Sequence, residues 1–366
     1  MITIVLFLVV LIYTVPIGLL IYGFTKINTI DYIGLNPKTK FTIIVPFRNE
    51  NENLPFLLDS LSKLNYPVEL FKVLLVDDES EEKFQLLDFD FQVSVITNNR
   101  NSNSPKKDAI TTAMHYVNSK WVITTDADCI VPENWLLTLD NYIQLHDVSM
   151  IASAVTYDCN NSFLHHFQQL DLASLQGATI GSFGINKGFM CNGANFAYTK
   201  SLFTALNGFD GNDKIASGDD VFLLQKGIIK FPKNVHYLKS KNTIVTTKPL
   251  NCWKSLFYQR VRWASKTSSY QSGFGKALGL IVLAGNLAVI TACGLSLISL
   301  IMYKDLFFLF LVKFILDSIL IYQSNTFLSQ KSIRYLVLSS LLYPFFSVFV
   351  TLYSLIGKYE WKGRQF

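Results

Sequence analysis

The chain offers chemistry first at Trp121-Val122-Ile123-Thr124-Thr125-Asp126-Ala127-Asp128, where a β-branched, apolar run ends in two carboxylates one residue apart. Aspartate is a poor strand residue and Val, Ile and Thr are good ones. The run therefore reads as a buried strand delivering acids to its C-terminal end. In open α/β sheets that end is where ligands bind. Paired carboxylates there suit a hard divalent cation, and such a cation suits a diphosphate. The spacing alone is weak. Among 19 aspartates about one Asp-x-Asp match is expected by chance, and a second, Asp88-Phe89-Asp90, is present.

Other candidates lie along the chain. Asp77, Asp78 and Glu79 close a second apolar run over residues 71–76, and Asp219 and Asp220 follow Gly218 at the start of a short apolar helix. Each has a bland counterpart: a polar loop after a strand, or acids favoured at a helix start by the dipole. Lys106-Lys107 reads equally as a solvated loop. Gln259-Arg260-Val261-Arg262-Trp263 is more specific. With 12 Gln, 6 Arg and 5 Trp, a chance Q-x-x-R-W has a probability of about 0.003. Interfacial anchoring accounts for its Trp and Arg but not for their spacing.

The elements that must position these groups alternate. Residues 41–46 form a first expected strand, followed by the polar turn Phe47-Arg48-Asn49-Glu50 and a helix over 54–64. Strands follow at 71–76 and 91–96, then a helix from Lys106 to about Val117, then the strand ending at Asp126. This order implies a mostly parallel sheet with helices on its faces. Further on, helices are expected at 131–146 and 164–178, and strands at 149–155, 235–238 and 243–245. Residues 250–263, with Trp253, Phe257, Lys254, Arg260 and Arg262, have the makings of an amphipathic interfacial helix.

Half of the 366 residues are hydrophobic and 16% are charged, too apolar for a purely soluble protein. Residues 2–22 carry no charge, enough to cross a bilayer at roughly 20 residues per span. They lack the basic start, shorter core and cleavage site of a signal peptide, so a retained anchor is expected. Three more apolar stretches cover 277–303, 306–322 and 335–357. The expected organisation is an anchor at 1–23, a soluble α/β domain at 38–249, an amphipathic interfacial segment at 250–272, and transmembrane helices at 277–357. Lys26, Lys38 and Lys40 follow the first span and nothing basic precedes it, which favours a cytosolic domain. At the other end the expectations conflict. Three further crossings put the C-terminus outside, Lys358, Lys362 and Arg364 favour the inside, Lys331 and Arg334 claim the same side one crossing earlier, and Pro344 offers a re-entrant break.

The net charge of +5 is not gathered into the basic stripe of a nucleic-acid binder. The five cysteines, Cys129, Cys159, Cys191, Cys252 and Cys293, show no metal or disulfide spacing, so free thiols are expected.

In order along the chain, Asp77/Asp78, Asp126-x-Asp128, Gly218-Asp219-Asp220 and Gln259-x-x-Arg262-Trp263 resemble the D, DxD, ED and QxxRW signature of membrane-embedded family 2 glycosyltransferases. Ceramide glucosyltransferase, cellulose synthase and hyaluronan synthase share that signature. Val45-Pro46-Phe47-Arg48-Asn49-Glu50 and Gly193-Ala194-Asn195 are similar to further family elements, and the resemblance covers about residues 40–270. Two departures leave the subfamily open: Thr246-Thr247-Lys248-Pro249 lacks the acid of the family's E-x-P element, and Lys266 stands where many members have glycine.

The resemblance implies a GT-A, Rossmann-like nucleotide-sugar domain flanked by one N-terminal and about three C-terminal spans. It implies that Asp77 or Asp78, near Arg48 and Glu50, holds the uridine of a UDP-sugar, with Lys106 beside the nucleotide. Asp126 and Asp128 would bind Mg2+ or Mn2+, Asp128 more directly. Asp220 would be the general base, beside Asp219. Gly193, Asn195, Gln259, Arg262 and Trp263 would serve the diphosphate and the acceptor. Three C-terminal spans are few for a polymer channel, so a lipid or lipid-linked glycan acceptor at the membrane is expected, with a processive polysaccharide synthase as the alternative. A multi-pass transporter is the reading outside this class, and only Lys313 and Asp317 lie within an expected span to support it. In a bacterium the membrane would be the inner one.

Overall fold

The computed structural model describes residues 2–30, 34–212, 217–329, 333–357, 360–361 and 364–365. Lys331, Lys358 and Lys362, which entered the expectations above, lie outside the described residues. The chain begins with α1 (Ile2–Lys26), β1 (Phe41–Phe47), α2 (Leu54–Ser62), β2 (Phe71–Asp77), β3 (Gln92–Thr97), α3 (Pro105–Met114) and β4 (Trp121–Thr124). It continues through β5 (Cys129–Ile130), α4 (Trp135–Leu145), β6 (Met150–Ser153), β7 (Val155–Tyr157), α5 (Phe163–Gly184), β8 (Phe196–Thr199) and α6 (Lys200–Ala205). Then come α7 (Asp219–Lys230), β9 (Val235–Leu238), β10 (Val245–Thr247), α8 (Trp253–Ser265), α9 (Gly273–Leu297), α10 (Tyr303–Leu328) and α11 (Leu336–Ile356).

Two compact units result. One joins Asn28–Asp158 to Met190–Lys248, and the other gathers Met1–Ile27, Cys159–Phe189 and Pro249–Phe366.

The first unit is the expected α/β domain. Its seven-stranded sheet has the order β3-β2-β1-β4-β8-β6-β9, and β10 joins β5 and β7 in a second sheet. β1 pairs in parallel with β2 and β4, β2 with β3, and β6 with β9, while β8 is antiparallel to both its neighbours. The central strands are covered on both faces, so they are continuous apolar runs: Ile43, Ile44, Val45, Val73, Val122 and Ile123 are fully buried. Residues 149–155, expected as one strand, divide at Ala154 between two sheets. The Ala154 carbonyl accepts from Val245 N at 3.1 Å and from Asn195 Nδ2 at 2.7 Å, so the backbone leaves one sheet and enters the other there.

The second unit is helical. α5 runs to Gly184, beyond the expected end at 178, and it packs on α1 in this unit rather than with the α/β domain where the sequence placed it. The crossing is backbone on backbone. A Cβ on Gly23 would lie 2.1 Å from the Gly181 carbonyl oxygen, and one on Gly184 would lie 1.8 Å from that of Gly23. Only glycine permits such an approach, as in the small-residue crossings of membrane helices.

Among the described residues three helices, α1, α9 and α11, are long and apolar enough to cross a membrane. The third C-terminal span expected at 306–322 lies within α10, which carries Lys304, Asp305, Lys313 and Asp317 and is not one of the three. Inside it, Lys313 Nζ donates to Asp317 Oδ2 at 2.5 Å and lies over the Tyr13 ring, whose hydroxyl also donates to Asp317. The two charges form the i,i+4 pair their spacing suggests. Pro344 does not break α11, which is one helix from Leu336 to Ile356. All five cysteines are free.

Candidate active site

The strand order 3-2-1-4 reverses between β1 and β4, and the carboxyl ends on either side of that reversal form the ligand edge of such a sheet. The sequence places acids at this edge through register. Phe47 pairs with Asp77, so Arg48 and Glu50 leave β1 where Asp77 and Asp78 leave β2. The two loops are laced together: Asn49 N donates to Ser80 Oγ at 2.9 Å, and Glu81 N donates to Asn49 Oδ1 at 2.9 Å. Asn49 takes a positive φ of 53°, which asparagine tolerates better than most residues. Glu50 accepts from Asn53 Nδ2 at 2.6 Å, and Arg48 Nη1 lies 4.0 Å from Glu79.

β4 delivers the second group of acids. Asp126 Oδ1 accepts from Lys106 Nζ at 2.7 Å, and the same ammonium lies 3.5 Å from Asp219 Oδ2. Burial works against the Lys106 charge. The carboxylates of Asp126, Asp219 and Asp220 overcome it and hold the lysine above its ordinary range. Gly193 closes the cluster. Its N–H donates to Asp220 Oδ2 at 2.9 Å and its carbonyl accepts from Thr124 Oγ1 at 2.8 Å. A Cβ there would press on Asp219 Oδ2 at 3.1 Å and on Lys106 Nζ at 3.2 Å. Val221 N donates to the other oxygen of Asp220 at 2.7 Å, so α7 presents both acids at its N-terminus, where the dipole favours them. Asp126, Lys106, Gly193, Asp219 and Asp220, from four separate segments, are thereby brought together. Lys107, its twin in sequence, is instead fully buried. It donates to the Asn212 carbonyl at 2.6 Å and lies over the Phe222 ring.

Asp128 is pushed up to about 6 by burial first, then by the charges of Asp126 and Glu50, against a hydrogen bond from Thr247. The same burial and the charges of Asp128 and Asp126 push the Cys129 thiol up, which leaves it a poor nucleophile. Carboxylates that disfavour one another in this way fit a bound divalent cation. Among the described residues no three acidic, Cys or His side chains form a complete cage.

Asp78 is buried, and burial raises it, while Asn98 and Arg100 draw it down. Asn98 Nδ2 donates to it at 2.6 Å and Arg100 Nη1 lies 3.6 Å away. Asp77 accepts from Ser80 N at 3.0 Å. Arg100 and Asn98, which meet the candidate residue Asp78, were missed by the sequence reading. Arg100 was the more accessible of them: it is one of 6 arginines, directly beyond a strand.

Asn195 sits differently from its expected role on the acceptor side. It is 1% exposed, its Oδ1 accepts from Trp135 Nε1 at 3.0 Å, and its Nδ2 donates to the carbonyls of Ala154 and Thr243 at 2.7 and 2.6 Å. The amide holds the two sheets together. Asn195→Ala is expected to cost on the order of 3 kcal/mol of stability, because it leaves buried partners unpaired. The rate per folded molecule should stay unchanged in the same preparation. A large rate loss at unchanged melting temperature would return Asn195 to the acceptor.

Gln259, Arg262 and Trp263 lie on α8 in the helical unit, where all three are half-buried. α8 buries Leu256, Arg260 and Val261 and packs Trp253 on Phe167 and Phe346, with ring centroids at 5.1 and 6.2 Å.

An α/β sheet of this order, with acids converging on its carboxyl edge, defines a GT-A-like domain. Residues 42–206 match the sequence model of the family described as Glycosyl transferase family 2, and the protein is an enzyme of sugar transfer. No curated protein matches the chain by sequence. Among solved structures, the mannosyltransferase PcManGT from Pyrobaculum calidifontis, in complex with GDP-Man and Mn2+, is similar. It shares 15% identity at a TM-score of 0.58, over 91% of this chain and 100% of that one. S. aureus TarS 1–349 in complex with UDP-GlcNAc shares 13% identity at a TM-score of 0.41, over 89% of this chain and 95% of that one. At 15% identity the likeness to the mannosyltransferase is one of fold.

Proposed function

We propose that the protein is an inverting, metal-dependent glycosyltransferase that moves a sugar from a nucleotide-sugar to a lipid or lipid-linked glycan at the cytosolic face of a membrane. The observation that carries this reading is the cluster of Lys106, Asp126, Asp219 and Asp220 around Gly193 at the carboxyl edge of the sheet. A fixed ammonium among carboxylates suits a diphosphate and the hydroxyl that displaces it. Asp77, Asp78, Arg48 and Glu50 sit where a nucleoside would be held; the family resemblance favours uridine. Asp126 and Asp128 would hold the divalent cation, which supplies charge neutralisation for a departing diphosphate. Asp220 takes the proton from the acceptor hydroxyl as its oxygen attacks the anomeric carbon. The bond to the diphosphate breaks on the opposite side, and configuration inverts. Gln259, Arg262 and Trp263 contribute a cation for phosphate and a flat face for a sugar. Among the described residues, three helices able to span a membrane support a lipid-borne acceptor.

The test uses the full chain in detergent or nanodiscs with membrane lipid extract and radiolabelled UDP-glucose, UDP-GlcNAc or GDP-mannose. Label should pass into the chloroform-soluble fraction with one of the three donors. Long water-soluble polymer would replace this reading with a processive synthase, and no turnover of any nucleotide-sugar would remove it. Chelation with EDTA is expected to reduce transfer by about a hundredfold or more, with Mn2+ or Mg2+ restoring it. Full activity after exhaustive chelation would strike the cation from the reaction.

A further inference from the structure

In Gln259-Arg260-Val261-Arg262-Trp263 the signature names the first, fourth and fifth residues, yet the most constrained side chain is the second. On a helix Gln259, Arg262 and Trp263 share one face at i, i+3 and i+4. Arg260 falls instead on the buried stripe with Leu256 and Val261 and is 5% exposed. A guanidinium in such a place is costly unless it is paired and hydrogen-bonded. Its partner comes from α5: Arg260 Nε donates to Asp171 Oδ2 at 2.5 Å, and Asp171 is itself 6% exposed. Tyr343 of α11 lies close to the same carboxylate. The rest of the guanidinium addresses the signature residues. Arg260 Nη1 donates to Gln259 Oε1, and the guanidinium carbon lies 4.2 Å from the centroid of the Trp263 ring.

We propose that Arg260, clamped by Asp171, is a positioning residue that presets Gln259 and Trp263 for donor and acceptor. The proposal rests on the reading of that motif given above. Arginine is required because one planar group must meet a carboxylate at Nε, an amide at a second nitrogen and an indole on its face. A lysine keeps the charge and can keep the ion pair, but offers neither the fork nor the flat face. Asp171 lies 89 residues before Arg260 in sequence, so no spacing motif connects them.

The experiment compares kcat, the donor KM and the melting temperature of the full chain with the donor that turns over among UDP-glucose, UDP-GlcNAc and GDP-mannose. Gln259→Ala, Trp263→Ala, Arg260→Lys, Asp171→Asn and Tyr343→Phe are measured together. Arg260→Lys is expected to lose at least tenfold in kcat while the donor KM stays within threefold and the protein still melts cooperatively. Asp171→Asn should follow it, and Tyr343→Phe should show a smaller loss in the same direction. If Arg260→Lys keeps wild-type kcat while Gln259→Ala and Trp263→Ala are impaired, the clamp only joins helices and the proposal is overturned. Wild-type kcat in Gln259→Ala and Trp263→Ala would instead overturn the reading of the motif itself. Should Asp171→Asn fail to fold, Arg260→Lys and Tyr343→Phe decide. An Arg260→Lys protein that no longer melts cooperatively also overturns the proposal, by making the pair an element of the fold.

Discussion

Asp220→Asn is expected to lower sugar transfer by about a thousandfold, within the range of roughly 10²–10⁴ that a positioned general base contributes. Donor binding should be retained. The substitution is nearly isosteric. The amide oxygen can still accept from Gly193 N, now 2.9 Å from Asp220 Oδ2, and only the bond from Val221 N to the other oxygen is lost. A loss of about 1 kcal/mol of stability is expected, small beside the loss of rate, which separates loss of the base from loss of the loop. Equilibrium binding of the donor and single-turnover transfer with the same preparation measure the two effects. Normal turnover by Asp220→Asn would remove Asp220 from the reaction. Asp219→Asn supplies the comparison. Asp219 lies 3.5 Å from Lys106, so weakened donor binding at a modest change in rate is expected there.

The second large effect is structural. Gly184→Ala places a Cβ 1.8 Å from the Gly23 carbonyl oxygen, and Gly181→Ala places one 2.3 Å from that of Leu20. Backbone atoms on both sides cannot rotate away as a side chain would, so α1 and α5 must separate. A loss of about 3 kcal/mol or more is expected for each, at or beyond the upper end of ordinary overpacking. Gly18→Ala, in α1, meets nothing within 4 Å. It should be neutral or stabilising by up to about 1 kcal/mol, since alanine is the better helix former. Thermal unfolding of the full chain in one detergent measures all three. Equal melting temperatures for Gly18→Ala and Gly184→Ala would rule out the close crossing.

Most of the α/β domain was legible because its central strands are covered on both faces. Burial of that kind forces uninterrupted runs such as Phe41–Phe47 and Trp121–Thr124, and an acid is noticed when it ends one. The same rule exposes Asp88-Phe89-Asp90 as a decoy, since it follows no strand. α5 was not legible. It carries His165, His166, Gln168, Gln169 and Asp171, which look like solvated positions, yet all of them are buried in the helical unit. Periodicity reports that a helix has faces; it does not report which neighbour satisfies a polar one.

By itself the sequence determined the alternation of strands and helices, the apolar segments at both ends and the residue types of the candidate site. Those follow from local rules: burial selects β-branched runs, and chemistry at a diphosphate selects carboxylates and cations. Tertiary structure alone decided that Lys107 is buried against Asn212 and Phe222, that Asn195 is held by Trp135 rather than free for a ligand, and that Arg260 is fixed by Asp171. Each depends on a partner dozens of residues away. A side chain's role is set by what desolvates and pairs it, and that is a property of the folded chain.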